Sequence, residues 1–453
     1  VSTGSLPYLT GGDAGLRAIY KHRWEDFVVT EVPGTLPDGA GDHVWLEVEK
    51  HGLTTPNAAS DLARALGVKP SSVGYAGLKD ARAVARQWMS VEHVDPDRAV
   101  ELEIPRVRVL RAVRHARKLR RGWHAGNRFE IRLRVPGGTE VAAGGPSRLD
   151  EFASFPAVDA ATVDEVRAVL SALEARGVPN YYGPQRFGSR GDTWRVGRAL
   201  AREEWAEAAS LIAGRPLREG DPAVDPAGGV HPDRGDILRA RELFDAERYG
   251  ASAEAWPRGF GQCARLARAM ERTEGNAARA VPVVGKRMLR LYASAYQSRL
   301  FNAVLAERLR GGTMDRLVAG DLAWKHDTEA LFLVEDADAE RSRAEAFEIS
   351  PTGPLVGRRM REPAGAVLAL ERRVMEAEGL RPSSLDSAAM RPLTGRRRPL
   401  RFRLRGPVAE AGSDDLGGFL ALRFDLPPGC YATAVLREVG RGGVEERSSS
   451  QRT

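Results

Sequence analysis

Cysteine is nearly absent: Cys263 and Cys430 are the only two in 453 residues, far apart and without a C-x-x-C pair. No histidine cluster stands ready to complete a zinc set, so neither a structural metal nor a disulfide framework is expected. Long apolar runs are missing as well. No stretch approaches the ~20 residues that cross a bilayer, and the N-terminus lacks the basic-then-apolar order of a secretory signal. A soluble cytoplasmic protein with no membrane partner is the expectation. Several common chemistries leave no trace either. There is no G-x-G-x-x-G dinucleotide turn, no G-x-x-x-x-G-K-[ST] phosphate loop, no H-E-x-x-H and no G-x-S-x-G. Any catalysis falls to ordinary side chains.

What is present begins with length. A chain of 453 residues exceeds what one hydrophobic core usually supports, and 42% apolar residues suffice to fill two. The net charge of +7 is modest, but its distribution is not. Arg106, Arg108, Arg111, Arg114, His115, Arg117, Lys118, Arg120 and Arg121 crowd one segment. Arg396, Arg397, Arg398, Arg401, Arg403 and Arg405 crowd another. Such clusters either neutralise phosphates, giving salt-sensitive binding, or form a solvated basic face.

Strand patterns cover Asp26–Val32 and His43–Glu49, joined through the turn chemistry that follows Pro37. Thr55 before Pro56 reads as a helix cap, with Ala59, Leu62, Ala63 and Leu66 as its apolar stripe and Gly67 as its stop. A loop from Tyr75 to Asp80 then leads to an apolar run, Trp88–Val91. From Asn127 to Val135 the chain alternates cleanly, so Asn127 shares a face with Phe129, Ile131 and Leu133. The stretch between Pro136 and Pro156 reads as loop. Helical spacing returns at Ala160–Arg176, Ala201–Ile212, Leu289–Leu309 and Glu362–Glu378, strand character at Arg401–Arg405 and Phe419–Leu426. The tail Arg441–Thr453 reads as disordered. The fold class expected is α/β (α+β), a domain built from both ends of the chain around a mainly helical insertion.

The segment Gly77-Leu78-Lys79-Asp80, followed by Arg82, Ala83 and Gln87, resembles the signature of the TruD family of transfer-RNA pseudouridine synthases. Ala85 stands where members usually carry Thr. Other segments match in order: Lys21 with Glu25–Glu31, His115–Gly122 with Gly126–Phe129, Asn180–Gly188, and Pro428–Thr433 with Arg437 and Glu438. The resemblance implies a pseudouridine synthase core with a largely antiparallel mixed sheet from 1–176 and 388–453, and an inserted TruD domain over 177–387, with transfer RNA in a basic cleft between them.

It further implies isomerisation of a transfer-RNA uridine, uridine 13 by family precedent, with Asp80 as the catalytic carboxylate and no cofactor. An aspartate in a dry cleft drifts toward neutrality unless a cation holds it charged. Lys21 is the first candidate by its motif, Lys79 the second, since adjacent side chains usually diverge. Substrate contacts fall to Phe27, Asn127 and Tyr431, with Phe129 stacking nearby; taken alone, Phe27 and Phe129 read more readily as core. Arg114, Arg117, Lys118 and Arg120 are expected on RNA, as is Arg186, whose alternative is to brace the domain junction. The long region 202–285 leaves other RNAs open as substrates, and a monomer is expected. Two rival classes stay open: an RNA-binding protein without catalysis, and a glycosylase that releases the base.

Overall fold

The computed structural model describes residues 6–11, 15–136, 154–221, 224 and 230–447. Most of the loop expected between 136 and 156, and the end of the expected disordered tail, lie outside the described residues. The chain divides into two compact units, one from Leu9–Val178 and Phe402 onward, the other from Pro179–Arg401 together with the residues up to Tyr8.

The first unit runs β1 (Ala18–Tyr20), β2 (Phe27–Pro33), β3 (His43–His51), α1 (Thr55–Leu66), β4 (Gly74–Tyr75), β5 (Val84–Glu92), α2 (Pro96–Val100), β6 (Val107–His115), β7 (His124–Leu133) and α3 (Ala160–Arg176). After the intervening unit come β8 (Arg405–Asp414), β9 (Gly417–Leu426), α4 (Ala432–Gly440) and β10 (Val444–Glu446). One eight-stranded sheet has the order β8-β9-β7-β2-β5-β3-β6, with β4 bonded to β5. Only the β2–β5 pairing in it is parallel. This is the largely antiparallel mixed sheet that was expected.

Alternation governs β7: Phe129, Ile131 and Leu133 are buried while Arg128 and Glu130 face solvent. Asn127, one two-residue step earlier, is carried onto the buried face. Helix α1 is capped by Thr54, whose Oγ1 accepts from the Asn57 N–H at 3.2 Å, not by Thr55 as expected; Gly67 ends it in the left-handed region at φ 71°. Its buried residues Ala58, Ala59, Leu62 and Ala63 pack with Val44, Leu46, Val48, Met89 and Val91 of the sheet. Burying each such leucine or valine stabilises the fold by about 1.5–3 kcal/mol. Just past β7, the fully buried Arg134 donates from Nη2 to Asp26 Oδ1 at 2.6 Å and Asp414 Oδ2 at 2.7 Å. One guanidinium thereby ties the end of β7 to the start of β2 and to the β8–β9 turn.

The segment read as a disordered tail contains β10, which pairs in parallel with β1 so that Tyr20 lies opposite Glu446. Three residues with no apolar alternation carry little strand signal, and the pairing is set by a partner more than 400 positions away.

The second unit is built on helices Thr193–Ala201, Trp205–Ala213, Gly235–Asp245, Gly261–Arg272 and the long Lys286–Arg310. The helix expected over Ala201–Ile212 starts later, at Trp205, because Glu203 turns left-handed at φ 57° and separates it from the helix that ends at Ala201. The unit also holds an antiparallel four-stranded sheet, ordered Leu331–Leu333, Leu322–Lys325, Ile349–Leu355 and Arg396–Pro399, that the sequence did not suggest. Its strand I-S-P-T-G-P-L is buried at every position. It shows no alternation, and its prolines and glycine read as loop.

Candidate active site

The loop between β4 and β5 carries Asp80, and its backbone is fixed from several sides. Thr55, released from capping, accepts the Lys79 N–H on Oγ1 at 2.9 Å and donates to Gln87 Oε1 at 2.8 Å. The fully buried Lys50 donates from Nζ to the Leu53 carbonyl at 2.5 Å and to the Asp80 carbonyl at 2.7 Å. Burial, with Lys79 adding to it against the opposing pull of Asp80, pushes the Lys50 ammonium down to about 8.

The Asp80 carboxylate itself is partly open, its side chain 37% exposed. Lys21 Nζ stands 2.5 Å from Oδ2, and the Arg82 backbone N–H donates to Oδ1 at 2.8 Å. Lys21 sits directly after β1 with a left-handed backbone, φ 58°, and its side chain is 3% exposed. Burial pushes the Asp80 carboxyl up. Lys21, then the Arg82 N–H and Lys50 outweigh that and hold it below its ordinary value. The ammonium of Lys21 also lies 4.6 Å from the centroid of the Phe27 ring.

Lys79 turns elsewhere. Its Nζ donates to Asn127 Oδ1 at 2.7 Å and pairs with Glu31 Oε2 at 2.7 Å, all three side chains being buried. An ammonium has no acceptor to offer, so the Asn127 amide must present its oxygen to Lys79 and its NH2 group away from it. That NH2 makes no hydrogen bond among the described residues.

Phe27 and Phe129 meet edge to face, centroids 5.9 Å apart, and Phe129 meets Phe424 at 5.7 Å. Such pairs contribute about 0.5–1.5 kcal/mol beyond their buried area. With 4% and 7% exposure, both rings serve the core first and offer a ligand only an edge. Tyr431, at the start of α4, is 48% exposed and makes no hydrogen bond or ring contact with this group among the described residues. Its loop does leave β9 at Leu426, which lies opposite Asn127.

Sequence reasoning missed a second carboxylate. Glu446 of β10 accepts from the Tyr20 hydroxyl at 3.1 Å and from Arg82 Nη1 at 3.1 Å, and lies 3.4 Å from Lys21 Nζ. Burial, then the charge of Glu446, pushes the Tyr20 hydroxyl far up, so it stays protonated and donates. Lys21 is thus shared by two acids brought from opposite ends of the chain. No signal in the tail could have found Glu446; Glu31 and Gln87 lay inside recognised motifs without an assigned role.

The two arginine clusters separate sharply. Arg114, Arg117 and Arg120 are exposed and Lys118 half-buried, on and after the edge strand β6, and none pairs with a carboxylate among the described residues. In the second cluster Arg397 is buried and bound to Glu371 at 2.5 Å, and the buried Arg401 lies over the Phe347 ring at 4.0 Å. Arg398 stacks on Tyr182 at 4.4 Å. Arg397 and Arg401 thus belong to the core of their unit and cannot meet phosphate. Arg186 is half-buried; Nε donates to Ser298 Oγ at 2.9 Å and Nη2 bonds Ser294, bracing the Asn180–Gly188 segment on the long helix.

Residues 3–439 match the family model described as tRNA pseudouridine synthase D (TruD). The chain is 41% identical over 433 residues to a protein of Geotalea daltonii named tRNA pseudouridine synthase D, covering 96% of this chain and 99% of the relative. A protein of the same name from Geobacter sulfurreducens is 42% identical over 442 residues, covering 95% and 96%. A crystal structure of a Methanosarcina mazei protein, also described as a tRNA pseudouridine synthase D, superposes with a TM-score of 0.78 at 22% identity over 96% of each chain. That last likeness is one of fold.

Proposed function

The chain belongs to the TruD family of tRNA pseudouridine synthases, RNA-modifying isomerases, and from that premise we propose that it converts uridine 13 of transfer RNA to pseudouridine with Asp80 as the reacting carboxylate and no cofactor. The observation that carries this reading is the Asp80 carboxylate, partly open to a ligand yet held ionised by the buried Lys21 at 2.5 Å.

The reaction breaks the N1–C1′ bond, turns the uracil over and joins C5 to C1′; the proton leaves C5 and N1 gains one. Nothing is oxidised and no group is taken from outside, so ordinary side chains suffice. The anomeric carbon becomes electron-poor as N1 departs, and an anionic oxygen beside it is the group that helps. Two routes use that oxygen, covalent attack on C1′ or charge stabilisation with deprotonation of the sugar, and both require Asp80 unprotonated. The Asn127 NH2 group, left free by the Lys79 contact to Oδ1, is a donor suited to a uracil carbonyl. Lifting the nucleotide from its stack costs a few kcal/mol. The half-exposed Tyr431 ring can return about 1–3 kcal/mol by stacking.

In Asp80→Asn the expected outcome is loss of pseudouridine formation with transfer-RNA affinity within several-fold of wild type; substantial residual turnover in a clean preparation would contradict the assignment. Mapping pseudouridine across total RNA treated with the wild-type protein tests position 13 and other RNAs together. Release of free uracil in that reaction would instead identify a glycosylase.

A further inference from the structure

The second unit, Pro179–Arg401, contains a polar cavity of about 290 Å³. Arg290, Ser294, Gln297 and Ser298, spaced for one face of the helix Lys286–Arg310, form one wall. Arg186 and Arg396 also line it. Arg396 reaches the cavity through Gly395, which has φ 78° and a backbone so close to Gly357 that an added Cβ would stand 2.7 Å from the Gly357 nitrogen. Only glycine fits that turn.

Several enclosed arginines of the unit are neutralised by an acid. Arg190 pairs with Asp233 at 2.6 Å, Arg299 with Glu378 at 2.7 Å, Arg308 with Asp321 at 2.6 Å and Arg397 with Glu371 at 2.5 Å. Arg186, Arg290 and Arg396 have no carboxylate partner among the described residues, and no acid lines the cavity. Guanidinium groups gathered in one concavity repel each other unless an anion enters from outside. The planar donor fork of arginine suits phosphate oxygens, and the Ser294 hydroxyl adds a further polar group.

We infer that this cavity is a phosphate-binding subsite that takes a backbone phosphodiester of the RNA substrate, an anchor within the inserted unit and separate from the Asp80 group. The inference rests on transfer RNA being the substrate. Arg290 and Arg396 are its exposed, unbraced members; Arg186 keeps its Nε and one Nη on serines and adds charge at the wall.

The test is equilibrium binding of unmodified transfer RNA to the full-length protein across a salt series, for wild type and Arg290→Gln/Arg396→Gln. The double variant is expected to bind more weakly, with a log–log salt slope shallower by about 0.7–0.9 for each phosphate no longer neutralised. A control with the same charge change, Arg265→Gln/Arg268→Gln on the exposed face of helix Gly261–Arg272, keeps the wild-type slope. An unchanged slope in the first variant, or an equal fall in the control, overturns the site. So does saturable binding of uridine monophosphate that the first variant loses while its RNA slope stays wild-type, since the phosphate would then come from a free nucleotide. Pseudouridine formation by the wild type is scored separately. Absence of product with the slope change present would sink the enzymatic reading alone, and product with no slope change would sink this inference alone.

Discussion

Lys21 decides the charge of Asp80. Burial pushes that carboxyl up and the lysine, 2.5 Å away, is the largest influence pulling it down. A carboxyl held below its ordinary value is ionised throughout the neutral range and loses its charge only as pH falls through that depressed value. In Lys21→Met the burial effect is left largely unopposed, so the acid limb of the kcat/KM profile should move to higher pH. Turnover at pH 7 should fall by at least about tenfold, the equivalent of about 1.36 kcal/mol. Lys21→Arg should keep the limb low; a limb unmoved in Lys21→Met would remove the lysine from this role. Asp80 and Lys21 were legible because short motifs mark them, and Asn127 because strand alternation sets its face. Thr55 was misassigned by a single position. The helix starts one residue earlier than Pro56 suggests, and that shift turns a cap into a clamp on the loop that bears Asp80.

At the level of elements, β10 matters more than its three residues suggest. It lies beside β1 and delivers Glu446 to Tyr20, Lys21 and Arg82. Arg82 supplies the backbone N–H that binds Asp80, so the strand braces both neighbours of the carboxylate. Glu446→Ala should lower the single-turnover rate by about tenfold, equivalent to about 1.4 kcal/mol of positioning, while transfer-RNA affinity stays within about twofold. A change in affinity alone would mean that the strand serves RNA binding instead. This element was invisible in sequence for a physical reason. Its partner is remote and its residues carry no apolar alternation, whereas β7 and α3 announce themselves by periodicity and caps that lie within the segment.

For the molecule as a whole, similar charge density conceals different roles for individual arginines of the two arginine-rich segments. Replacing Arg114, Arg117 and Arg120 with Gln should make transfer-RNA binding less salt-dependent, by about 0.7–0.9 in slope for each phosphate left without its guanidinium, and leave stability almost unchanged. Arg397→Met should do the reverse. It strands Glu371, 1% exposed, without its partner and should destabilise the fold by about 3–5 kcal/mol in denaturant titration, with the salt slope unaltered. Charge density along the sequence is readable, but the burial that distinguishes a core guanidinium from a surface one is set by which strands and helices pack around it. The sheet of the first unit carries one more implication. β7 holds β2 along one side and β9 along the other, and β9 is made only after the whole of 179–401 has been synthesised. Until then a nascent chain on the ribosome exposes a long unpaired edge at the strand that bears Asn127, an adhesive surface for other unfolded chains. Synthesis of β9, and not of the loop that bears Asp80, is therefore the step after which the sheet around this site can first close.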